Sequence, residues 1–288
     1  MRMLVFGKNG QVARALQAAA GDAVIALGRD DADLMTPGAA RQAIADHAPE
    51  IVINAAAYTA VDKAESEQSA ARRLNADAPA EMALAAAALE KPFIHISTDY
   101  VFDGSNNQRL DETATTNPLN VYGATKLDGE GAVLAANPGA VVLRTSWVFS
   151  EYGGNFVKTM MRLGAEREAL SIVADQIGGP TAAADIAHAI TSIAGKKHRG
   201  APGAGLYHFQ GAPEVCWATF AEKIFEIAGL SVKVSHIKTE DYPTPAARPL
   251  NTILACAKIE RDFGIGQPDW RADLRRVIAV LKTEGQYS

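Results

Sequence analysis

The sequence predicts an α/β protein, a doubly wound parallel sheet with helices on both faces and a smaller C-terminal lobe. Short β-like runs alternate with alanine-rich helical patterns through the first half of the chain. Glycines occupy the first strand-to-helix junction, and glycine and proline cluster only after about residue 150. Alternating strands and helices are typical of a parallel sheet covered on both faces.

The strands and helices of the first half follow from local patterns. Apolar runs predict strands at Met3–Phe6, Ala23–Leu27, Ile51–Asn54, Phe93–Ser97 and Ala140–Thr145. Helical patterns run from Gln11, from Pro37 to His47, from Ala76 to Leu89 and from Leu119 to Ala136. Thr36 is a suitable N-cap, because a proline at the first helical position follows it. The helix from Ala76 is almost entirely apolar, so we expect it to lie against the sheet.

The second half is interrupted by glycine and proline. Breaks fall at 178–180, 200–205 and 242–249, and the last contains three prolines that exclude an ordinary helix. Such segments suit either a lobe that closes over a ligand or plain loops between helices. Amphipathic helices are predicted near Ala182–Ala194 and Trp217–Ala228. We expect a dinucleotide-binding unit over 1–150 and mainly a substrate-binding lobe over 151–288, with residues 170–195 packing back onto the first unit.

Composition limits the classes of function. The 288 residues are 48% hydrophobic and 21% charged, the balance of a globular protein with a sizeable core. The net charge of -5 argues against general nucleic-acid binding, and no apolar stretch approaches a membrane span. The two cysteines, Cys216 and Cys256, lack metal-ligand spacing and predict free thiols in a reducing compartment. We therefore expect a cytoplasmic protein.

The first strand-to-helix junction has the glycines of a nucleotide-binding turn. Gly7 and Gly10 let the backbone turn tightly and approach a pyrophosphate, whose charge the following helix N-terminus favours. Ala13 is the third small residue, at the close contact between helix and strand. Because this turn opens a βαβ pattern, we expect a Rossmann-like site in which Gly7, Gly10, Gln11 and Val12 contact the cofactor.

The end of the second strand indicates which dinucleotide binds. An acidic residue there would bond the adenosine ribose of NAD, whereas this chain has Gly28 and then Arg29, which suits a 2′-phosphate. We therefore expect NADPH, with NADH as the alternative because Asp30 lies close by. Further candidate cofactor contacts follow the second and third strands: Asp33, Leu34, Ala57, Tyr58 and Thr59.

Tyr122 and Lys126 are the candidates for chemistry. Their four-residue spacing stacks both side chains on one helix face, about 6 Å apart along the axis. A nearby ammonium lowers the pKa of a phenol from about 10, which would make Tyr122 a usable proton donor. The alternative from spacing alone is a half-buried tyrosine beside a solvated lysine. Ser97 and Thr98 end the fourth strand, where hydroxyls face the ligand crevice of an open sheet.

Several motifs in this order resemble the extended short-chain dehydrogenase/reductase family. They are the glycine turn, Asn54–Ala57, Ser97–Asp99 and the Tyr122–Lys126 pair. Further blocks resemble the branch that reduces dTDP-linked 4-keto sugars: 7–12, 60–65, 97–102, 118–123, 144–148, 155–160, 175–181 and 242–249. The resemblance implies reduction of dTDP-6-deoxy-L-lyxo-4-hexulose at its 4-keto group, giving dTDP-L-rhamnose, with NADPH as hydride donor.

The resemblance also implies roles for individual residues. Tyr122 would donate the proton, Lys126 would bind the nicotinamide ribose and lower the Tyr122 pKa, and Thr98 would hold the carbonyl oxygen. Residues implied to contact the substrate are Asp99, Trp147, Asn155 and Arg248, of which Asn155 and Arg248 are the diphosphate or thymidine contacts. Asn75 corresponds to an asparagine that supports the active site, or else it is an interior cap or kink.

Departures from the family pattern leave other questions open. Ala15 and Ala184 stand where some members carry acidic residues that bind a divalent ion near a dimer contact, so we expect no metal. A monomer and a homodimer both remain compatible with the sequence. The alternatives in function are a reductase of another nucleotide-linked 4-keto sugar and a non-catalytic dinucleotide-binding subunit.

Overall fold

The computed structural model describes residues 1–283, and it confirms the predicted α/β fold. The main sheet contains β1 (Met3–Phe6), β2 (Val24–Leu27), β3 (Ile51–Asn54), β4 (Phe93–Thr98), β5 (Val141–Thr145) and β10 (Gly205–His208). Its strand order is β10-β5-β4-β3-β1-β2, and every neighbouring pair is parallel. The carboxyl ends of the strands therefore meet at one edge, where ligands bind in such sheets.

Helices cover both faces of this sheet. Those of the first half are α1 (Gln11–Ala20), α2 (Ala39–His47), α3 (Val61–Ala64), α4 (Gln68–Arg72), α5 (Ala78–Ala88) and α6 (Val121–Ala136). Those of the second half are α7 (Phe156–Glu166), α8 (Ala183–His198), α9 (Trp217–Ala228), α10 (Ala257–Phe263) and α11 (Trp270–Thr283). Among residues 1–283, none of the helices combines the length and the apolar character that crossing a bilayer requires.

Short strands form three small two-stranded sheets in the second half. They are β6 (Val148–Phe149), β7 (Ala169–Val173), β8 (Ile177–Gly178), β9 (Thr181–Ala182), β11 (Val215–Cys216) and β12 (Lys233–Ile237). The β6–β9 and β7–β12 pairs are parallel, whereas β8 and β11 run antiparallel. These pairs extend the chain beyond the main sheet into the lobe that closes one side of the ligand crevice.

Three buried clusters account for the packing. One joins the main sheet to α1, α8 and α10, and a second joins its other face to α2, α5 and α6. The third belongs to the lobe and is formed by apolar side chains of α7, α9 and α11 around Phe149 and Phe220. Part of the second half thus packs on the main sheet, while the division of the chain at residue 150 stays a prediction.

Two helix starts and the sixth strand differ from what the sequence predicts. Thr36 does not cap α2: the helix begins at Ala39 after Gly38, whose φ of +84° only glycine adopts readily and whose N–H is bonded by Glu81. The helix predicted from Leu119 begins at Val121, because the Asn120 side chain accepts the Gly123 N–H. Strand β10 follows directly on the glycine-rich break at 200–205, which concealed it.

The helix predicted from Ala76 is longer and irregular. A continuous helical run begins with α4 at Gln68 and passes through a π-helical turn, Arg73–Asp77, before α5. Such turns widen a helix locally and are frequent at functional sites. Here the turn places Asn75 against α6.

Candidate active site

A cavity of about 760 Å³ opens at the carboxyl edge of the main sheet. Its wall combines the turn after β1, the ends of β2 to β5 and residues of the lobe. The residues predicted to bind the nucleotide and those predicted to carry out the chemistry therefore line one continuous space. This is the crevice in which an open α/β sheet binds its ligands.

The nucleotide end of the cavity has the geometry that a dinucleotide requires. Gly7 has φ of +100°, and a Cβ there would lie 2.8 Å from the Ala56 nitrogen, so only glycine is compatible with this turn. The N-cap residue of α1, Gly10, offers no side-chain cap, which leaves the first N–H groups of the helix for an anion. Gln11 and Val12 also line the cavity, as predicted. A pyrophosphate fits this end on steric and electrostatic grounds.

Residues after β2 form the adenosine end. Gly28, Arg29, Asp33 and Leu34 line the cavity, together with Met35, which the sequence did not single out. Neither Asp30 nor Asp31 lines the cavity. Asp31 instead accepts the Gly28 N–H and pairs with Lys8. The exposed Arg29 thus lines this end of the cavity, and Asp33 is the lining carboxylate nearest to it in the sequence. Asp33 uses a carboxylate oxygen to bond the Met35 N–H.

The segment after β3 lies along the cavity with one exception. Ala57 and Thr59 line it, but Tyr58 does not. The Tyr58 hydroxyl donates to Glu67 at 2.6 Å, so the ring is directed to the protein surface. Asn75 holds the same residue by its backbone, accepting the Tyr58 N–H at 2.8 Å. The Tyr58 side chain is therefore not placed to contact a cofactor in this cavity.

Thr98, Tyr122 and Lys126 line the same cavity. Thr98 ends β4, where its hydroxyl donates to Asp99 at 2.9 Å and accepts the Tyr100 N–H. Tyr122 lies in the first turn of α6, edge-on to Tyr100 at 5.7 Å between ring centroids. The predicted proton donor and the hydroxyl that would hold a carbonyl oxygen therefore share one wall.

Burial is the largest influence on the protonation of Tyr122. Burial raises the pKa of Tyr122 to about 12, while a hydrogen bond with Thr98 partly opposes the rise. The pKa of this phenol is therefore above its ordinary value in the ligand-free protein, and the expectation that Lys126 makes it more acidic stays a prediction. Burial likewise lowers the pKa of Lys126 to about 8, against the pull of Glu130. The phenol is fully protonated at neutral pH, as a proton donor must be.

Asn75 and two glycines fix the position of α6. Asn75 donates its side-chain amide to the Tyr58 carbonyl and to the Thr125 hydroxyl, which ties the π-helical turn to α6. A Cβ on Gly129 would lie 2.0 Å from the Asn75 carbonyl oxygen, and one on Gly123 would lie 2.2 Å from that of Tyr100. The helix that carries Tyr122 thus approaches neighbouring backbone more closely than any side chain would permit.

The sugar end of the cavity is aromatic and acidic. Trp147 stacks on Trp217 with 3.4 Å between ring centroids, and it has a strained φ of +45°. Trp217, the first residue of α9, lines the cavity, although the sequence predicted only a helix there. Asp99 is 2% exposed, and burial raises its pKa to about 6. A flat apolar surface beside a polar carboxyl suits one face and one hydroxyl of a sugar.

The two predicted diphosphate or thymidine contacts are held by other residues. Asn155 lines the cavity and caps α7, but its amide donates to Gln11 and to the carbonyls of Ser150 and Tyr152. Arg248 lies outside the cavity lining, where Asp62 binds it through both carboxylate oxygens. An arginine that already has a carboxylate partner would have to exchange it for a phosphate. Both roles stay predictions.

No group of three or more His, Cys, Asp or Glu side chains that could hold a metal ion occurs within residues 1–283. Asp185, which follows Ala184 in the chain, lies near Asp273. Burial, reinforced by Asp273, raises the pKa of Asp185 to about 7. This pair favours a shared proton.

Comparisons with known proteins agree along the whole chain. The family model described as the RmlD substrate binding domain matches residues 1–283. The chain is 47% identical to the dTDP-4-dehydrorhamnose reductase of Sinorhizobium fredii, with 99% of each chain covered. It also resembles the crystal structure of such a reductase from Clostridium acetobutylicum, at 36% identity and a TM-score of 0.92, covering 98% of this chain and 100% of that one. The Bacillus anthracis reductase in complex with NADP has a TM-score of 0.90 at 36% identity, covering 97% and 99%.

Proposed function

This chain belongs to the RmlD substrate-binding-domain family, and from that premise we propose that it is a dTDP-4-dehydrorhamnose reductase. It reduces the 4-keto group of dTDP-6-deoxy-L-lyxo-4-hexulose to give dTDP-L-rhamnose, with NADPH as the reductant. The observation that carries the proposal is that Thr98, Tyr122 and Lys126 line the same cavity as the glycine turn at Gly7. A protein that only bound a dinucleotide would need the turn but not the proton donor.

The reaction needs one hydride and one proton. The reduced nicotinamide supplies the hydride to C4 when it is bound. Tyr122 donates its phenolic proton to the oxygen at C4 as negative charge develops there, and general acids of this kind contribute about 10²–10⁴ in rate. Thr98 turns its hydroxyl from Asp99 to the same oxygen and so polarises the carbonyl. Lys126 as an ammonium stabilises the phenolate that this step leaves on Tyr122, because an ammonium stabilises an adjacent anion.

Residues at the two ends of the cavity hold the ligands. Gly7, Gly10, Gln11 and Val12 bind the pyrophosphate of the cofactor through the turn and the helix N-terminus. Arg29 binds the 2′-phosphate, which is the support for NADPH over NADH, since neither Asp30 nor Asp31 lines the cavity. Trp147 and Asp99 contact the deoxysugar, with Asn155 and Arg248 on the nucleotide diphosphate side. We further propose a cytoplasmic enzyme that acts as a monomer or a homodimer.

The direct test is turnover with the purified protein. The protein is mixed with NADPH and the dTDP-linked 4-keto sugar, and loss of reduced-nicotinamide absorbance is followed while NMR identifies the product. Formation of dTDP-L-rhamnose by the wild type but not by Tyr122→Phe supports the proposal. Parallel assays with UDP- and GDP-linked ketosugars test the base preference. Cofactor binding without any reduction would instead indicate a non-catalytic dinucleotide-binding subunit.

A further inference from the structure

Two buried side chains behind Lys126 form a hydrogen-bonded chain that the mechanism above does not use. The Lys126 Nζ lies 3.3 Å from the His95 Nε2, and the His95 Nδ1 lies 3.0 Å from the Asn54 Nδ2. The Asn54 Oδ1 in turn accepts the Ala56 N–H at 3.0 Å. Lys126, His95 and Asn54 are each at most 2% exposed. The chain runs from the catalytic helix through β4 and β3 to a residue of the cavity wall.

The donors and acceptors of this chain permit two arrangements, one for each protonation state of Lys126, and only one of them satisfies every group. Because Asn54 uses its oxygen for the Ala56 N–H, its amide nitrogen must donate to the His95 Nδ1. A neutral imidazole then carries its hydrogen on Nε2 and donates it to Lys126, which must be a neutral amine. If Lys126 is an ammonium, the His95 Nε2 has to accept, and the hydrogen of the ring moves to Nδ1. That hydrogen needs the Asn54 oxygen, so the Ala56 N–H loses its partner.

We propose that His95 and Asn54 are positioning residues that couple the protonation of Lys126 to the backbone of the cofactor-binding segment at Ala56. Ala56 lines the cavity, and its nitrogen lies 2.8 Å from the place of a Cβ on Gly7. Protonation of Lys126 therefore changes a hydrogen bond in the wall that faces the glycine turn. Lys126 keeps its bond to the Ile96 carbonyl, at 2.6 Å, in both arrangements, since an amine and an ammonium both donate.

The surroundings leave His95 neutral and Lys126 as the group that titrates. Burial, together with Lys126, lowers the pKa of His95 well below its ordinary value, so the ring does not take up a proton near neutrality. Tyr122, Asp99 and Tyr100 face the same cavity. Most of the charged groups on α6 and the elements packed against it form ion pairs: Glu130 with Arg144, Arg72 with Asp128, Arg73 with Glu81 and Asp62 with Arg248. Lys63 on α3 is a further cation on such an element.

The test is the tautomer of His95, measured by ¹⁵N NMR on the ligand-free protein between about pH 6 and pH 10. We expect the ring to stay neutral while its hydrogen moves from Nδ1 to Nε2 as the pH rises, with a midpoint near the Lys126 pKa of about 8. His208 is the internal control, because its Nδ1 bonds the Leu110 carbonyl, which can only accept and so fixes one tautomer. A single His95 tautomer over the whole range, or an imidazolium, would overturn the proposal.

Asn54→Asp is the variant that separates the coupling from burial alone. A carboxylate can accept the Ala56 N–H and the His95 Nδ1–H together, so we expect Nδ1–H throughout the pH range in which the wild-type ring changes tautomer. A tautomer that still switches in this variant would exclude Asn54 from the coupling. If the variant does not fold, the wild-type titration decides alone. The inference rests on the proposed function only for Lys126 as a cofactor-binding residue, and a protein with the switch but no reductase activity would refute the function alone.

Discussion

Burial, the Thr98 hydroxyl and the edge-on ring of Tyr100 form the surroundings that determine when the Tyr122 phenol releases its proton. A phenol with a pKa near 12 gives up its proton only to a stronger base, such as the alkoxide that forms as hydride arrives. Its release is thus confined to the moment of reaction. This argues that the acid strength the reaction needs comes from the bound ligands and Thr98 as much as from Lys126.

Tyr122→Phe is expected to lower kcat by about 10²–10⁴, the range that a general acid contributes, and to leave the Kd for NADPH within a few-fold of wild type. The variant removes one hydroxyl from a half-buried ring and should fold normally. Steady-state kinetics and a binding titration measure the two effects. Tyr207→Phe is the matched control, because that hydroxyl bonds Asp262 and does not line the cavity. Equal losses in both variants would remove Tyr122 from proton transfer.

Asp99→Asn is expected to stabilise the protein at pH 7 while impairing turnover. Burial raises the Asp99 pKa from 3.8 to about 6, so the folded state binds this proton more tightly than the unfolded state does. The tighter binding of this proton by the folded state adds to the free energy of unfolding. That contribution is fully present below about pH 3.8 and is lost as the pH rises through about 6. Two pKa units correspond to roughly 3 kcal/mol.

The measurement for Asp99 is the free energy of unfolding of both proteins from about pH 4 to pH 8. The advantage of Asp99→Asn should grow across that range, and most of the growth should fall between pH 4 and pH 6. A difference that stays constant with pH would show that the carboxyl is not destabilised by burial. Retained turnover in the variant would argue against contact between Asp99 and the sugar.

At the scale of single residues, candidate residues for chemistry were easier to predict than the direction in which a side chain points. Thr98 and Lys126 could be assigned because a strand end and a helix face determine where their side chains lie. Tyr58 lies between two residues that line the cavity, but its hydroxyl binds Glu67 at the surface, and no local pattern encodes that choice. Trp217 was missed because it reaches the cavity from the lobe, where packing rather than periodicity places it.

At the scale of elements, α6 depends on glycines that let it approach neighbouring backbone. We expect Gly129→Ala to lower the free energy of unfolding by about 1–3 kcal/mol or more, because the Asn75 carbonyl cannot move aside as a flexible side chain would. Gly131→Ala in the same helix has nothing within 4 Å of the new Cβ. It should instead stabilise the helix by up to about 1 kcal/mol.

Chemical denaturation of these two variants, beside wild type, tests the close packing of α6. The informative result is that the two variants change the free energy of unfolding in opposite directions, since both substitutions are chemically identical and lie half a turn apart. Destabilisation by both would mean that alanine is unfavourable throughout this helix for another reason. A neutral Gly129→Ala would mean that α6 can shift away from the π-helical turn.

The elements that the sequence predicted best are those whose whole length is buried. Strands β1 and β3 were predicted with the bounds that the structure has. A short aliphatic run in a chain that alternates strands and helices is typical of a buried strand. Helix starts were less accurate, since the start of α2 depends on the left-handed Gly38 and on Glu81 from α5, far along the chain. Strand β10 adds to the edge of the sheet beside β5 from the second half, so only the assembled sheet identifies it.

At the scale of the whole molecule, distant sequence blocks meet around the start of the catalytic helix. Glu65 accepts the Val121 N–H at 2.9 Å, and Asn120 donates its amide to the Ala247 carbonyl at 2.7 Å. Asp62 binds Arg248 from the same proline-rich segment. The blocks at 60–65, 118–123 and 242–249 thus form one interlocked unit, which explains their joint presence in a way that no single block reveals.

Cofactor binding should stabilise the whole folded chain, and the phosphate of NADPH should account for part of it. A ligand at 100 times its Kd adds about 2.7 kcal/mol to the free energy of unfolding, whichever part of the protein unfolds first. Arg29 is the exposed cation in the cavity wall at the end of β2. A charge-assisted hydrogen bond contributes about 1.5–3 kcal/mol, so Arg29→Ala should weaken NADPH binding by about ten-fold or more and leave NADH nearly unchanged.

Thermal unfolding with saturating NADPH or NADH measures this difference without any turnover. Arg29→Ala should lower the NADPH-induced rise in Tm by about 2–4 °C for each kcal/mol of binding free energy lost, whereas the NADH-induced rise should stay as in wild type. Arg41→Ala is the matched control, because that arginine is exposed nearby on α2 but does not line the cavity. If Arg29→Ala reduces both rises equally, the arginine acts on the fold of the loop and not on the 2′-phosphate. If it reduces neither, then Lys8, the other cation in this part of the wall, is the remaining candidate for the phosphate contact.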